Sequence, residues 1–225
     1  YAYLSVDFAN PTGQTLDRAA REAVIDLADA MDIAVVEDAA YQTLRFDGEP
    51  IPPILALEIA RKGSIEDCRT IYCGSFSKSL APGLRVGWVC AAKEVIGKLV
   101  LMKQAADLHS STANQMVTEE VARLHLAEHA EVLRRVYSAR RDHMLAALAR
   151  EMPAGVEWTK PEGGMFVWIT LPQHIDGAEL LACQEIVRQT PVAEPVLRYA
   201  VRLAEASRPQ NPQAQEFVKT FVASG

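Results

Sequence analysis

The sequence predicts an α/β fold with a largely parallel sheet, because strand-like and helix-like segments alternate along its first part. Helices are predicted at 16–31, where apolar residues recur at helical spacing, and at 55–61. A helix between successive strands supplies the long crossover connection that parallel pairing needs. Short apolar runs rich in β-branched and aromatic residues predict four strands, at 1–8, 33–36, 70–73 and 85–91. The last three of these strands are expected to be buried.

The second half of the chain is predicted to be mostly helical, with one small strand pair. Strands at 156–159 and 165–171 flank the turn Pro161–Gly164 and predict a hairpin-like unit that opens a smaller α+β domain. From residue 177 onward the chain is predicted to be helical again, with interruptions at prolines. The three helices before the hairpin are predicted at 93–103, 111–126 and 127–151.

Composition excludes several function classes. The 225 residues are 49% hydrophobic and 23% charged, which suffices for a globular core, and the net charge of −6 argues against a nucleic-acid partner. No apolar run has membrane-spanning length, and no signal-peptide pattern opens the chain, so no membrane partner is expected. The four cysteines form no C-x-x-C pair. A cytoplasmic location is therefore the expectation.

Polar residues stand where the predicted strands end. Asn10 follows the first strand, Asp38 the second and Ser75, Ser77 and Lys78 the third. Arg85 opens the fourth. In an open parallel sheet, ligands bind beyond the carboxyl ends of the strands, so neighbouring strands would bring these groups to one crevice. Taken singly, each has an ordinary structural explanation: a turn asparagine, a helix cap, a solvated lysine or a salt-bridged arginine.

The set suits an aldehyde cofactor that has a phosphate and a pyridine nitrogen. The Lys78 amine can form a Schiff base with the aldehyde, and the Asp38 carboxylate can keep the ring nitrogen protonated. The Arg85 fork and the Ser75 and Ser77 hydroxyls suit a phosphate. Tyr41, three residues after Asp38, can donate to the phenolic oxygen of the ring. These residues together predict pyridoxal 5′-phosphate as the cofactor.

Three ordered motifs, ANPTG, EDAAY and GSFSKSLAPGLRVGW, resemble those of class I, fold-type I pyridoxal-phosphate aminotransferases. The nearest-looking members act on 2-aminoadipate, kynurenine, or aromatic and branched amino acids. The later stretch KPEGGMFVWITLP is similar to the start of that family's small domain. The resemblance covers about residues 1–180. It implies a partial large domain with helices on both faces of a mostly parallel sheet, then a partial α+β small domain and a helical tail.

The resemblance also implies roles for the residues that match its motifs. Lys78 would be the Schiff-base lysine and the proton shuttle between the Cα and C4′ carbons, and Asp38 would pair with the ring nitrogen. Asn10 and Tyr41 would hydrogen-bond the phenolic oxygen. Ser75, Ser77 and Arg85 would hold the phosphate. The implied reaction moves an amino group between an amino acid and a 2-oxo acid, in a family whose members are usually homodimers.

Two departures from the family pattern shape the expected domain organisation. The family's chains begin earlier than this one. Residues 179–225 do not follow the family's small-domain pattern; they resemble the helical lid region of MoxR-type AAA ATPases, without that family's nucleotide-binding loops. We therefore expect a truncated form, which a chimeric gene would explain, that binds the cofactor weakly and transaminates poorly or not at all. The expected divisions are a partial cofactor-binding domain at 1–125, a connecting helix with a partial small domain at 126–178, and the tail at 179–225.

Three alternatives to an aminotransferase remain open from the sequence. A β-lyase or decarboxylase would use the same cofactor and scaffold. A zinc peptidase is suggested by the pattern HLAEH, which would place His125 and His129 four residues apart on one helix face beside Glu128. A non-catalytic interaction module is suggested by the ATPase-like tail. No metal site is assigned.

Overall fold

The computed structural model describes residues 1–173 and 175. Tyr1–Leu171 form one compact unit, and the predicted tail at 179–225 lies outside the described residues. None of the described helices is long and apolar enough to cross a membrane. In chain order the helices and strands are β1 (Ala2–Leu4), α1 (Arg18–Met31), β2 (Val35–Asp38), α2 (Ile54–Lys62), β3 (Thr70–Ser75), β4 (Gly87–Cys90), α3 (Lys93–Asp107), α4 (Thr112–Glu151), β5 (Glu157–Trp158) and β6 (Ile169–Thr170).

The main sheet has the order β1-β2-β3-β4. The first three strands are parallel, and helices α1 and α2 supply the crossovers between them, which confirms the predicted α/β arrangement. β4 pairs with β3 in the antiparallel direction. A second, two-stranded antiparallel sheet joins β5 to β6 and matches the predicted hairpin-like unit.

Two predictions about individual elements are wrong. The strand predicted as buried at 85–91 is shorter, and all four residues of β4 are exposed, including Trp88 at 42% and Val89 at 41%. The helices predicted at 111–126 and 127–151 are one continuous helix, α4. No helix breaker lies near residue 126, so the backbone ladder continues through the predicted boundary.

The core lies between the sheet and the first two helices. Asp17 begins α1 by accepting a hydrogen bond from the Ala20 amide at 2.7 Å, which satisfies one of the free donors of the first turn. Burying each large aliphatic side chain of this core contributes about 1.5–3 kcal/mol relative to exposure. The buried cluster consists of Val6, Ile25, Ala28, Val35, Ile54 and Leu57.

Buried carboxylates fix the connections between strands and helices. Glu37 is fully buried and accepts from the first two amides of α2, Ile54 N at 2.8 Å and Leu55 N at 3.1 Å. Burial raises the pKa of Glu37, and these two amides oppose that rise. Because side chains alternate along a strand, Glu37 points into the core and its neighbour Asp38 points to the other face.

Candidate active site

The ends of β2 and β3 and the start of β4 meet at one edge of the sheet. β2 ends at Asp38, which pairs with Cys73, and β3 continues from there to Ser75. β4 is antiparallel, so its first residue, Gly87, pairs with Ser75. Arg85 precedes Gly87 by two positions and therefore enters the sheet at this same edge. The direction of β4, which the sequence did not reveal, is what brings Arg85 to the carboxyl ends of the parallel strands.

Asp38 is half-buried, and both of its carboxylate oxygens accept hydrogen bonds. The Ala40 amide donates to Oδ1 at 3.1 Å, and the Tyr3 phenol donates to Oδ2. The hydrogen bond to Asp38 is the largest of the causes that raise the pKa of Tyr3 to about 12. Tyr3 lies outside the sequence motifs, and the sequence pattern predicts it only as a strand residue. The alternation of side chains along β1 is the signal that places it on the Asp38 face.

Lys78 and Tyr41, which follow β3 and β2, lie close to each other. The Lys78 amine is 6.0 Å from the centre of the Tyr41 ring, and Lys78 is half-buried. Tyr41 is itself 9% exposed and packs edge-on against Phe166, with ring centres 5.4 Å apart. Within the described part of the chain, the Lys78 amine has no hydrogen-bond or ion-pair partner. A nearby aromatic face attracts the cationic form of the amine without consuming its donors.

The segment after β3 coils into a tight turn that presents hydroxyl groups. Ser77 N donates to Ser75 Oγ at 3.0 Å, and Ser79 Oγ donates to the Ser75 carbonyl at 3.5 Å. The amides of Leu80 and Ala81 both donate to the Phe76 carbonyl. Ser75 Oγ therefore accepts from the backbone while its own proton remains able to donate to a ligand.

Arg85 sits at the end of the turn Pro82–Leu84 in the left-handed region, with φ of 54°. This conformation costs a non-glycine residue on the order of 1 kcal/mol, and such residues are concentrated at functional sites. The exposed guanidinium donates to the Pro82 carbonyl at 3.3 Å, its only hydrogen bond among the described residues. Asn114 of α4 donates to the Leu84 carbonyl at 3.0 Å and anchors the turn.

Asn10 is exposed, and no side-chain hydrogen bond joins it to the other candidate residues in the described part of the chain. Its loop closes through the Gly13 amide, which donates to the Ala9 carbonyl at 2.7 Å. Gly13 has φ of +69°, and a Cβ there would lie 2.6 Å from the Phe166 carbonyl oxygen. Glycine is therefore required where this loop packs against the hairpin.

The donor set of this edge fits an aromatic aldehyde that carries a phosphate and a ring nitrogen. The Lys78 amine has no hydrogen-bond partner among the described residues, and the Asp38 carboxylate is held at both oxygens. The site also has the hydroxyls of Ser75 and Ser77 and the Arg85 guanidinium, which makes a single hydrogen bond among the described residues. The amine can attack a carbonyl carbon, and the guanidinium can bind an anion with two parallel hydrogen bonds.

The alternative metal site has no such support. His125 and Glu128 of α4 are exposed, and His129 is half-buried. Among residues 1–173 and 175, no group of three or more His, Cys, Asp or Glu side chains is placed to hold a metal ion.

A family model described as aminotransferase class I and II matches residues 8–218. The chain belongs to this aminotransferase family. The model continues through most of the segment after residue 178, so the expected likeness of residues 179–225 to MoxR-type ATPases gains no support. That segment lies outside the described residues.

This chain is similar to individual named aminotransferases. It is 45% identical over 175 residues to aromatic-amino-acid aminotransferase 1 of Thermococcus litoralis, an alignment that covers 77% of this chain and 40% of that protein. The structure of LysN, the alpha-aminoadipate aminotransferase of Thermus thermophilus, complexed with N-(5′-phosphopyridoxyl)-L-leucine, matches with a TM-score of 0.73 and 41% identity. This match covers 79% of this chain and 45% of that one, and it confirms the predicted fold class.

A second kind of relative is named as a transcriptional regulator. The uncharacterized HTH-type transcriptional regulator YdfD of Bacillus subtilis is 34% identical over 75% of this chain and 34% of the regulator's length. The chain thus spans less than half the length of each of these relatives.

Proposed function

We propose that this chain is the lysine-bearing part of a pyridoxal-phosphate-dependent aminotransferase that moves an amino group between an amino acid and a 2-oxo acid. The observation that carries the proposal is the sheet edge at which Asp38, Arg85 and the turn bearing Lys78 meet. Bound pyridoxal phosphate supplies an aldehyde for amine exchange and a ring that withdraws electrons from the reacting carbon.

Each candidate residue has a proposed part in this chemistry. Lys78 attaches the cofactor and carries a proton between the substrate Cα and the cofactor C4′. Asp38 binds the ring nitrogen and favours its protonated form, because an anionic acceptor stabilises the N–H⁺. Asn10 and Tyr41 hydrogen-bond the phenolic oxygen. Ser75, Ser77 and Arg85 hold the phosphate, the arginine through its planar fork.

The proposed function extends to the substrate, the assembly, the location and the domain division. The named relatives favour an aromatic amino acid or 2-aminoadipate as the amino donor, and kynurenine is a further candidate from the sequence motifs. A homodimer, a cytoplasmic location and the division at residues 125 and 178 also remain proposals. The division at residue 125 falls inside α4, so it would separate functional regions and not folding units.

Adding pyridoxal phosphate to the 225-residue chain tests the proposal. We expect a visible absorbance band from the lysine-bound cofactor, and we expect Lys78→Ala to abolish it. Lys98→Ala is the matched control, because Lys98 is an exposed lysine on α3, and the band should persist in that variant. A band of equal strength in Lys78→Ala would contradict the assignment of Lys78.

The match to YdfD favours a second candidate, the ligand-binding part of a transcriptional regulator. Both candidates bind the cofactor at Lys78, so binding alone does not separate them. An aminotransferase converts the bound cofactor to its amine form when an amino acid is added, and a 2-oxo acid restores the original absorbance. A completed cycle therefore identifies an aminotransferase, whereas a chain that retains the cofactor without completing the cycle fits either a regulator domain or the truncated aminotransferase expected from the sequence.

A further inference from the structure

Tyr3 is the one residue outside the sequence motifs whose side chain contacts the candidate site carboxylate through a described hydrogen bond. Its phenol donates to Asp38 Oδ2, while the Ala40 amide donates to Oδ1. The two donors thus hold different oxygens of one carboxylate. A carboxylate held at both oxygens has a fixed plane, whereas one held at a single oxygen can rotate.

The sheet register fixes the reach of Tyr3. Tyr3 in β1 pairs with Val36 in β2, and Asp38 lies two residues beyond Val36 on the same face. The Tyr3 side chain therefore reaches from β1 to Asp38 at the end of the paired strand β2. Although Tyr3 is 61% exposed, its backbone lies in a paired strand and not in a loop, and this fixes the position of the phenol oxygen.

The phenol of Tyr3 remains a donor throughout the neutral pH range. The Asp38 hydrogen bond, partial burial and the charge of Asp38 raise the pKa of Tyr3 to about 12. Cys73 and Tyr41 are the other titratable groups that act on Tyr3, and each raises its pKa further. Ionisation of the phenol would place two negative groups in contact, which is why the neutral form persists.

We propose that Tyr3 is a positioning residue that fixes the orientation of the Asp38 carboxylate for the ring nitrogen of pyridoxal phosphate. The role rests on the proposed function of the site. A structural explanation is also available, because the same hydrogen bond ties β1 to β2. The two roles differ in what they change: a structural bond affects stability alone, whereas a positioning bond also affects the bound cofactor.

The first test needs no cofactor. Tyrosine labelled with ¹³C at the ring carbon that bears the hydroxyl reports ionisation by its chemical shift. At about pH 10.5 the Tyr3 signal, assigned by its loss in Tyr3→Phe, should be that of a neutral phenol in the parent chain. In Asp38→Asn it should move toward the phenolate value, since an unperturbed tyrosine has a pKa of about 10. Equal ionisation of Tyr3 in both chains would overturn the proposed coupling.

The second test uses the cofactor. Tyr3→Phe should bind pyridoxal phosphate roughly three- to ten-fold more weakly, because only part of the effect of losing a hydrogen bond to the Asp38 carboxylate is passed on to the cofactor. It should also shift the pH at which the visible band changes. The matched control is Tyr1→Phe, which removes a 90% exposed phenol just before the same strand and should change neither property. Melting temperatures of both variants separate an effect on folding from an effect on the site.

The outcomes distinguish the two proposals. A band in the parent chain with identical affinity and pH profile in Tyr3→Phe and Tyr1→Phe would overturn the role of Tyr3 and leave the proposed function intact. A drop in melting temperature alone would also overturn it. No band in the parent chain at saturating pyridoxal phosphate would overturn the proposed function and, with it, this role for Tyr3.

Discussion

Arg85 combines backbone strain with a side chain that has few partners. Its φ of 54° is unfavourable for any side chain with a Cβ, and its one described hydrogen bond is to its own turn. Stability therefore gives little reason for an arginine here, whereas anion binding does. The same combination could not be predicted from the sequence, because the motif shows the arginine but not its dihedral angle.

Arg85→Gly should separate binding from stability. Glycine removes the strain but adds freedom to the unfolded chain, so we expect the free energy of unfolding to stay within about 1 kcal/mol of the parent value. Affinity for pyridoxal phosphate should fall about ten-fold or more, because a charge-assisted pair with the phosphate is lost. Spectroscopic titration and urea unfolding measure the two quantities.

Pyridoxal without its phosphate is the matched ligand control for Arg85→Gly. The parent chain and the variant should bind it equally, because the changed residue would contact only the phosphate. An equal loss of affinity for both ligands would mean that the substitution disturbs the turn rather than removing a phosphate contact.

Glu58 is the buried link between α2 and β3. It accepts hydrogen bonds from the Arg69 amide at 2.9 Å, the Thr70 amide at 3.0 Å and the Lys62 amine at 2.8 Å. Burial acts to raise the pKa of Glu58, but these donors outweigh burial and the pKa lies below its usual value. The bonds hold the start of the strand whose far end leads to Lys78.

Glu58→Gln should destabilise the chain by about 1–3 kcal/mol near neutral pH, because its amide group replaces an acceptor among buried donors. A pKa lowered by folding means that the carboxylate stabilises the fold above its unfolded pKa and loses this effect as pH falls through the folded pKa. The gap between parent and variant should therefore narrow under acidic conditions below about pH 4.5. Urea unfolding across this pH range measures it.

Glu119→Gln is the control for this prediction. Glu119 forms only a surface ion pair with Arg123 among the described residues, and its side chain is 68% exposed. Such pairs contribute about 0–1 kcal/mol, so this variant should unfold almost like the parent at every pH. A gap for Glu58→Gln that stayed constant with pH would contradict an ionised, stabilising Glu58.

The order of elements could be predicted from the sequence, but the direction of β4 could not. Apolar periodicity and strand spacing identify α1, α2 and the parallel strands, since each signal is local. The turn Pro82–Leu84 that sends β4 back along β3 depends on contacts such as Asn114 with Leu84, which are distant in sequence. The Tyr3–Asp38 hydrogen bond could not be predicted for the same reason: it joins residues 35 positions apart.

Some apolar segments of the molecule are exposed and not buried in the core. α3 has no buried residue, and Leu101 and Met102 are exposed at 62% and 68%. The sequence predicts burial for the strands at 33–36, 70–73 and 85–91, but β4, which lies in the last of these ranges, is exposed. Several apolar side chains of α3 and β4 stay exposed among the described residues, although Trp88 of β4 packs against Phe76 with ring centres 4.7 Å apart.

The lengths of the relatives bear on the whole molecule as well. Residues 1–171 form a compact unit around the candidate site, yet the chain spans 40% of the Thermococcus litoralis enzyme and 45% of LysN. The residues present in this chain are therefore enough to show the family and the fold. Turnover and substrate choice are properties of a whole protein, and they remain proposals for this chain.

Lys78 is the residue that we propose to bond the cofactor. Incubating the chain with pyridoxal phosphate, reducing it with borohydride and mapping its peptides by mass spectrometry tests this directly. We predict one stoichiometric phosphopyridoxyl group, on the peptide that contains Lys78. Labelling spread over exposed lysines such as Lys98, with Lys78 unmodified, would contradict the account.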